Sequence, residues 1–203
     1  RKSKMWNERF AAPGYLFGID PAQFLVDHAS YLEPGQTALA VADGEGRNSV
    51  FMAQQGVFVR AMDGSANAVD KATMLAGAAG GEVDYNVGDI AKWDWAAEPY
   101  DLVVGIFIQF VGAEARKAQF AGMKQAVKPG GHILLHGYTP KQLEYGTGGP
   151  PFLENLYTED QLREDFSDFE IVELTAYERE IDEGTGHSGM SALVDLVARK
   201  PLG

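Results

Sequence analysis

The feature that most limits the fold is an alternation of apolar runs with amphipathic stretches that stops near the C-terminus. Thr37–Ala42 (TALAVA), Val57–Met62 (VFVRAM), Glu82–Val87 (EVDYNV), Tyr100–Ile108 (YDLVVGIFI) and His132–Tyr138 (HILLHGY) read as strands. The stretches RNSVFMAQQ, SANAVDKATMLAGAA and AEARKAQFAGMKQAV carry apolar residues at helical spacing. Repeated strand–helix units build a parallel sheet with helices on both faces. Tyr100–Ile108, apolar almost throughout, suits a strand buried on both sides. The pattern then changes. FEIVELTAYERE and SALVDLVARK are two long strands with no helix between them, so they are expected to pair as an antiparallel hairpin. The expected fold class is α/β: a Rossmann-like doubly wound sheet of five parallel strands plus a C-terminal antiparallel hairpin.

A chain of 203 residues suits one domain with a full core. Residues 1–35 read as N-terminal lid helices, 36–138 as a cofactor-binding core, 139–157 as a substrate loop, and 158–203 as the last helix and the closing hairpin. In the lid, Met5–Phe10 is amphipathic, and Asp20, Pro21 and Gln23 form a capping pattern for the helix that follows. Thr158–Gln161 is a second capping box. Pro129-Gly130-Gly131 is expected to stop the helix before the fifth strand.

The formal net charge is −12, which argues against a nucleic-acid backbone or an anionic membrane surface as partner. A small neutral or cationic molecule fits better. There are no cysteines, which removes disulfides, thiolate metal sites and a cysteine nucleophile. The longest apolar run, Leu102–Val111, is broken by Gly105 and Gln109 and falls well short of the roughly 20 residues of a membrane span. No basic-then-apolar leader precedes the first helix, so no signal peptide is read; the expected setting is cytoplasmic and the expected state a monomer or homodimer. No metal motif is present. His132 and His136 lie too far apart on one strand to make a metal pair, and His28 reads as packing.

In open α/β sheets ligands bind beyond the carboxyl ends of the strands. The first strand ends there in Ala42-Asp43-Gly44-Glu45-Gly46, where two glycines allow a tight turn and close approach to a ligand. The second ends in Asp63-Gly64-Ser65. Asp63 stands about 20 residues beyond the glycine turn, where a carboxylate grips ribose hydroxyls. The third ends in Gly88-Asp89-Ile90, where a carboxylate can accept from an adenine amino group. Ser49 occupies the place of the third glycine of a dinucleotide fingerprint.

The ordered series ADGEGRNS, MDGS, GDI, YDLVV and KPGGHILL, over Thr37–Leu135, resembles the motifs of class I S-adenosylmethionine (SAM) dependent methyltransferases. GEGRNS together with WNERF is most similar to the tellurite-resistance and thiopurine-methyltransferase-like branch. The resemblance implies that SAM is the cofactor and S-adenosylhomocysteine (SAH) the product. It implies that Asp63, with Gly64 and Ser65, holds the ribose and that Asp89 and Ile90 frame the adenine. Ala42, Asp43, Gly44 and Gly46 would lie under the methionine moiety, Arg47 and Asn48 at the cofactor's edge, and Ile106 would complete the cofactor set. The family commonly has an acidic residue where this chain has Ala40, and glycine where it has Ala42. Asp43 is the candidate replacement carboxylate beside the cofactor's ammonium.

Acceptor contacts are expected from the lid and from the loops at the same sheet edge. Tyr15, an aromatic that attracts a sulfonium, is the lid's candidate cofactor contact. Phe17, Tyr138 and Tyr145 are candidate substrate residues, with His136 a lesser one. His187, the only histidine of the loop DEGTGHSGMS, is the candidate catalytic residue, as general base or substrate ligand. The expected function is methyl transfer to a small thiol, amine or chalcogen oxyanion. The alternatives are a non-catalytic SAM-binding module and an NAD-dependent oxidoreductase, the latter disfavoured by Ser49 and the closing hairpin.

Overall fold

The computed structural model describes residues 2–203; Arg1, first residue of the expected lid segment, lies outside the described residues. The strands are β1 (Thr37–Val41), β2 (Phe58–Asp63), β3 (Val83–Val87), β4 (Tyr100–Ile106), β5 (Val127–Tyr138), β6 (Glu170–Asp182) and β7 (Ser188–Arg199). The helices are α1 (Lys2–Phe10), α2 (Gln23–Asp27), α3 (Arg47–Gln54), α4 (Ala66–Ala79), α5 (Ala113–Ala126), α6 (Gln142–Tyr145) and α7 (Glu159–Asp165). The strands form one seven-stranded sheet in the order β3-β2-β1-β4-β5-β7-β6. The pairs β1–β2, β2–β3 and β4–β5 are parallel, whereas β5–β7 and β6–β7 are antiparallel. This is the expected mostly parallel sheet with a C-terminal hairpin.

The chain divides into two compact units: the described residues through Trp93 together with Glu183–Gly186, and Asp94–Asp182 together with His187–Gly203. In the first, β1 is buried from Ala38 to Val41. Ser65 caps α4, its hydroxyl accepting from the Ala68 amide at 3.1 Å, and Gly80 ends the helix with φ 73°. The lid departs from its expected capping. Ala22, not Asp20, precedes α2, because the Ala22 amide donates to Asn48 Oδ1 at 2.8 Å and keeps that residue extended. The helix then breaks at His28, whose ring nitrogen lies 2.7 Å from the Phe24 carbonyl oxygen and competes for a helical acceptor.

In the second unit Ile133, Leu134 and Leu135 of β5 and Val194, Leu196 and Val197 of β7 are each at most 1% exposed, as strands covered on both faces require. α5 ends at Ala126, ahead of Pro129-Gly130-Gly131 as expected, and these three residues are carried inside β5 as an irregularity. The register jumps from Tyr100↔Val127 to Leu102↔His132, and Gly130 takes up the kink with φ 80°. β4 ends two residues earlier than the apolar run, because Phe107 turns to φ 55°. The terminal hairpin pairs as far as Asp182↔Ser188, so its loop is shorter than its glycines and serines suggest.

Candidate active site

In the first unit, three residues of the turn after β1 adopt left-handed backbone: Ala42 (φ 48°), Gly44 (φ 63°) and Gly46 (φ 92°). Ala42 stands where the related motif has glycine, and its Cβ makes this conformation cost about 1–2 kcal/mol. Strain of that kind persists where surroundings over-determine it. Here the Asp43 amide donates to the Met62 carbonyl at 3.0 Å, fastening the turn to β2. Gly46 is required by packing. A Cβ there would lie 2.7 Å from the Ala72 Cβ on α4.

Two half-buried carboxylates flank Gly44. Asp63 accepts from the Gly44 amide (2.9 Å, Oδ2) and from the Ser65 amide (2.9 Å, Oδ1), tying the ends of β1 and β2 together. Its own carbonyl accepts from the Gly88 amide at 2.9 Å, which adds the end of β3. Asp43 turns toward α3: Oδ1 accepts from the Ser49 amide (3.2 Å) and Oδ2 from the Ser49 hydroxyl (2.5 Å). Ser49 Oγ also lies 2.9 Å from Tyr85 OH. The residue in the third-glycine place is thus the polar hub of the turn.

Burial pushes the Asp43 carboxyl up to about 7, against the Ser49 hydrogen bonds that pull it down; the neighbouring Asp63 raises it further. Burial also raises Asp63, with the Ser65 and Gly44 amides opposing and Glu45 reinforcing. An acid raised in the folded state stabilises the fold least once ionised. The Asp43 contribution is therefore full below its ordinary value and is lost as pH rises through about 7. Asp43→Asn, with Ser49 Oγ free to donate to the Gly46 carbonyl 3.2 Å away, should raise the melting temperature more at pH 8 than at pH 5. Equal gains at the two pH values in a thermal melt would contradict this assignment.

The N-terminal segment is pinned by side chains that the sequence did not single out. Glu45, between the two glycines, accepts from the Leu16 amide (2.8 Å) and from Lys71 Nζ (2.9 Å). Lys71 donates its remaining protons to the Ala12 and Gly14 carbonyls, each at 2.6 Å, and lies 5.9 Å from the Tyr15 ring centroid. The Tyr15 hydroxyl reaches the Lys71 carbonyl at 3.4 Å. Asn7 of α1 accepts from the Ser65 hydroxyl (2.8 Å) and the Asn67 amide (3.0 Å). The hairpin loop joins this unit too. Arg47 Nη1 donates to Glu183 Oε1 at 2.7 Å, the Gly186 amide donates to the Leu16 carbonyl at 3.1 Å, and the Phe17 ring lies against Gly186. The side chains of Arg47 and Asn48, expected at the cofactor's edge, are thus placed on Glu183 and on the Ala22 amide. Asp89 is exposed and accepts from the Ala91 amide at 2.9 Å, capping the short turn that contains half-buried Ile90.

In the second unit, Ile106 closes β4 in register with His136. Tyr138 and His187 are brought together: the phenol OH and His187 Nδ1 make a short hydrogen bond, and both groups are buried. His187 also forms a bridge with Gly148, so the segment 139–157 meets the start of β7. Gln142 strengthens that junction, donating to the Gly148 carbonyl at 3.0 Å and accepting from the Ala192 amide at 2.9 Å. His136 Nδ1 lies 2.7 Å from Asp195 Oδ1, which also accepts from Tyr177 OH at 2.8 Å. Tyr145 is not part of this cluster; its hydroxyl bonds the Glu178 carboxylate, which Lys141 also reaches at 2.9 Å. Glu45, Lys71, Glu183 and Asp195 carry no local signal of their roles, since each partner lies far along the chain.

The donor set of the first unit fits a cationic nucleoside. Asp43 and Asp63 place two carboxylates at this turn, burial being the main cause that raises both above the ordinary carboxylate range, while Glu45 is already paired with Lys71. Residues 38–131 match the family described as a methyltransferase domain. No curated protein matches the sequence. Among solved structures, one described as the conversion of a disulfide bond into a thioacetal group during echinomycin biosynthesis superposes with a TM-score of 0.81. It is 15% identical, covering 100% of this chain and 93% of that one. TehB from Haemophilus influenzae has a TM-score of 0.71 at 20% identity, covering 98% of this chain and 67% of that one. The N-methyltransferase NodS from Bradyrhizobium japonicum WM9, in complex with SAH, has a TM-score of 0.73 at 14% identity, covering 99% and 100%. At these identities the likeness is one of fold, and the domain match covers a little under half of the chain.

Proposed function

We propose that this chain is a SAM-dependent methyltransferase that transfers the methyl group to a small thiol, within the tellurite-resistance and thiopurine-methyltransferase-like branch. The observation that carries the cofactor half is the Asp63 carboxylate, half-buried and bonded to two turn amides at the end of β2. Each of its oxygens keeps a second lone pair for a ribose hydroxyl. Gly64 and Ser65 continue that wall, and Asp89 and Ile90 frame the adenine. The backbone of Ala42–Gly46 lines the methionine moiety, with Asp43 balancing its ammonium. Arg47 and Asn48 act at the cofactor's edge by holding the lid, Tyr15 offers its ring to the sulfonium, and Ile106 completes the set.

When bound, SAM supplies an electrophilic methyl group on a sulfonium. The chain's task is to orient the acceptor and remove its proton. His187 is the proposed base. Tyr138 fixes its ring through Nδ1, and Phe17, Tyr138 and Tyr145 are the proposed acceptor contacts. Residues 1–35 form the proposed lid and 139–157 the substrate loop. The net charge of −12 favours a neutral thiol over an oxyanion, and the neighbour with a TM-score of 0.81 is described by chemistry on a disulfide. The −12 charge likewise favours a small-molecule partner over nucleic acid, and a cytoplasmic setting is the proposed one.

SAH formation with benzenethiol, benzylamine and selenite tests the assignment. Turnover with benzenethiol above the other two is expected. Amine turnover alone would replace the thiol reading, and no turnover with any would remove the small-nucleophile class. His187→Ala should lower turnover by about 100-fold and flatten its acid limb. An unchanged pH–rate profile would take the base role from it.

A further inference from the structure

We propose that Phe107 is a positioning residue of the acceptor site, holding the His187 ring in its working orientation from a strained backbone conformation. The proposal rests on the reading of His187 above. Phe107 has φ 55°, a region that a bulky aromatic residue avoids. It follows directly on Ile106, which is in register with His136. In regular extension successive side chains alternate faces, so residue 107 would point away from the face shared by His136 and Tyr138. Its ring instead touches both. The ring centroids are 4.8 Å from His136 and 4.9 Å from Tyr138. The ring also stacks on His187 at 4.2 Å with planes 26° apart. The left-handed turn is what carries the ring to that face.

The neighbours of Phe107 are themselves fixed, which is how the strain is held. The Phe107 amide donates to the His136 carbonyl at 2.9 Å, and the His136 ring is anchored on Asp195. Gln109, in the same turn, brackets the Tyr138 backbone. Its Nε2 donates to the Tyr138 carbonyl at 2.8 Å, and its Oε1 accepts from the Tyr138 amide at 2.7 Å. Tyr138 then bonds His187 Nδ1. One turn thus sets the imidazole twice, through the stacked face and through the phenol. No polarity or spacing in GIFIQF marks residue 107 for this.

The test uses the SAH-bound protein and two variants. Asn tolerates left-handed backbone, so Phe107→Asn removes the ring without adding strain. Phe107→Tyr keeps a ring that can stack. The His187 ring resonance, assigned from its loss in His187→Gln, should lose its ring-current displacement in Phe107→Asn and keep it in Phe107→Tyr. With benzenethiol, Phe107→Asn should lower kcat by about tenfold or more with KM for SAM within about twofold, and Phe107→Tyr should restore it to within about threefold. An unmoved His187 resonance in Phe107→Asn, retained kcat in that variant, or a parallel loss of SAH binding would each overturn the proposal. If wild type turns over no acceptor, the acceptor assignment fails separately and the resonance alone decides the role of Phe107.

Discussion

Asp63→Ala is expected to weaken SAM binding by about 100-fold or more. Asp63 holds the Gly44 and Ser65 amides, each at 2.9 Å, so its loss frees the turn that it ties as well as any bond to ribose. A hydrogen bond to a charged group contributes about 1.5–3 kcal/mol, and two or more such bonds reach that factor at about 1.4 kcal/mol per decade. Asp63→Asn keeps one carbonyl acceptor and should fall between wild type and alanine. Calorimetric titration with SAM, alongside circular dichroism, separates lost affinity from lost fold. Wild-type affinity in a folded Asp63→Ala protein would remove this residue from the cofactor site.

The second large effect lies in the buried pair Arg47–Glu183, 2.7 Å apart with each side chain 8% exposed. Glu183→Ala leaves a guanidinium buried without its carboxylate, which costs about 3–5 kcal/mol. For a chain of this size the melting temperature should fall by about 10 °C. The paired replacement of Arg47 by Met and Glu183 by Leu should recover most of that loss, because the penalty belongs to the unpaired charge rather than to a missing attraction. A single variant that melts like wild type would mean that water reaches Arg47.

Much of this architecture was legible because local chemistry and global fold agree. The turn Ala42–Gly46 announced itself through Gly44 and Gly46, and both are left-handed. SANAVDKATMLAGAA read as a helix, and α4 runs over Ala66–Ala79. The terminal hairpin followed from two long strands without a helix between them. What stayed hidden is long-range or conformational. Glu183 meets Arg47 from 136 residues away, and no local pattern encodes that. The Asp20-Pro21 pattern promised a cap, but the tertiary bond from the Ala22 amide to Asn48 moved the helix start. Pro129-Gly130 reads as a helix stop, and α5 does end at Ala126, but the bulge by which β5 absorbs both residues has no local signal. Phe107 lies inside an apolar run whose composition says strand, and only its surroundings turn it aside.

The hairpin loop bears on how this chain can be divided. Residues 183–186 belong to the first unit, while the strands on either side of them belong to the second. A fragment ending at Trp93 would therefore carry Arg47 without Glu183, and Leu16 without the amide of Gly186. No single cut separates the two units into self-sufficient pieces. Split-protein reporters or truncations made at residue 93 should yield an N-terminal half that is soluble only when the hairpin is supplied in trans.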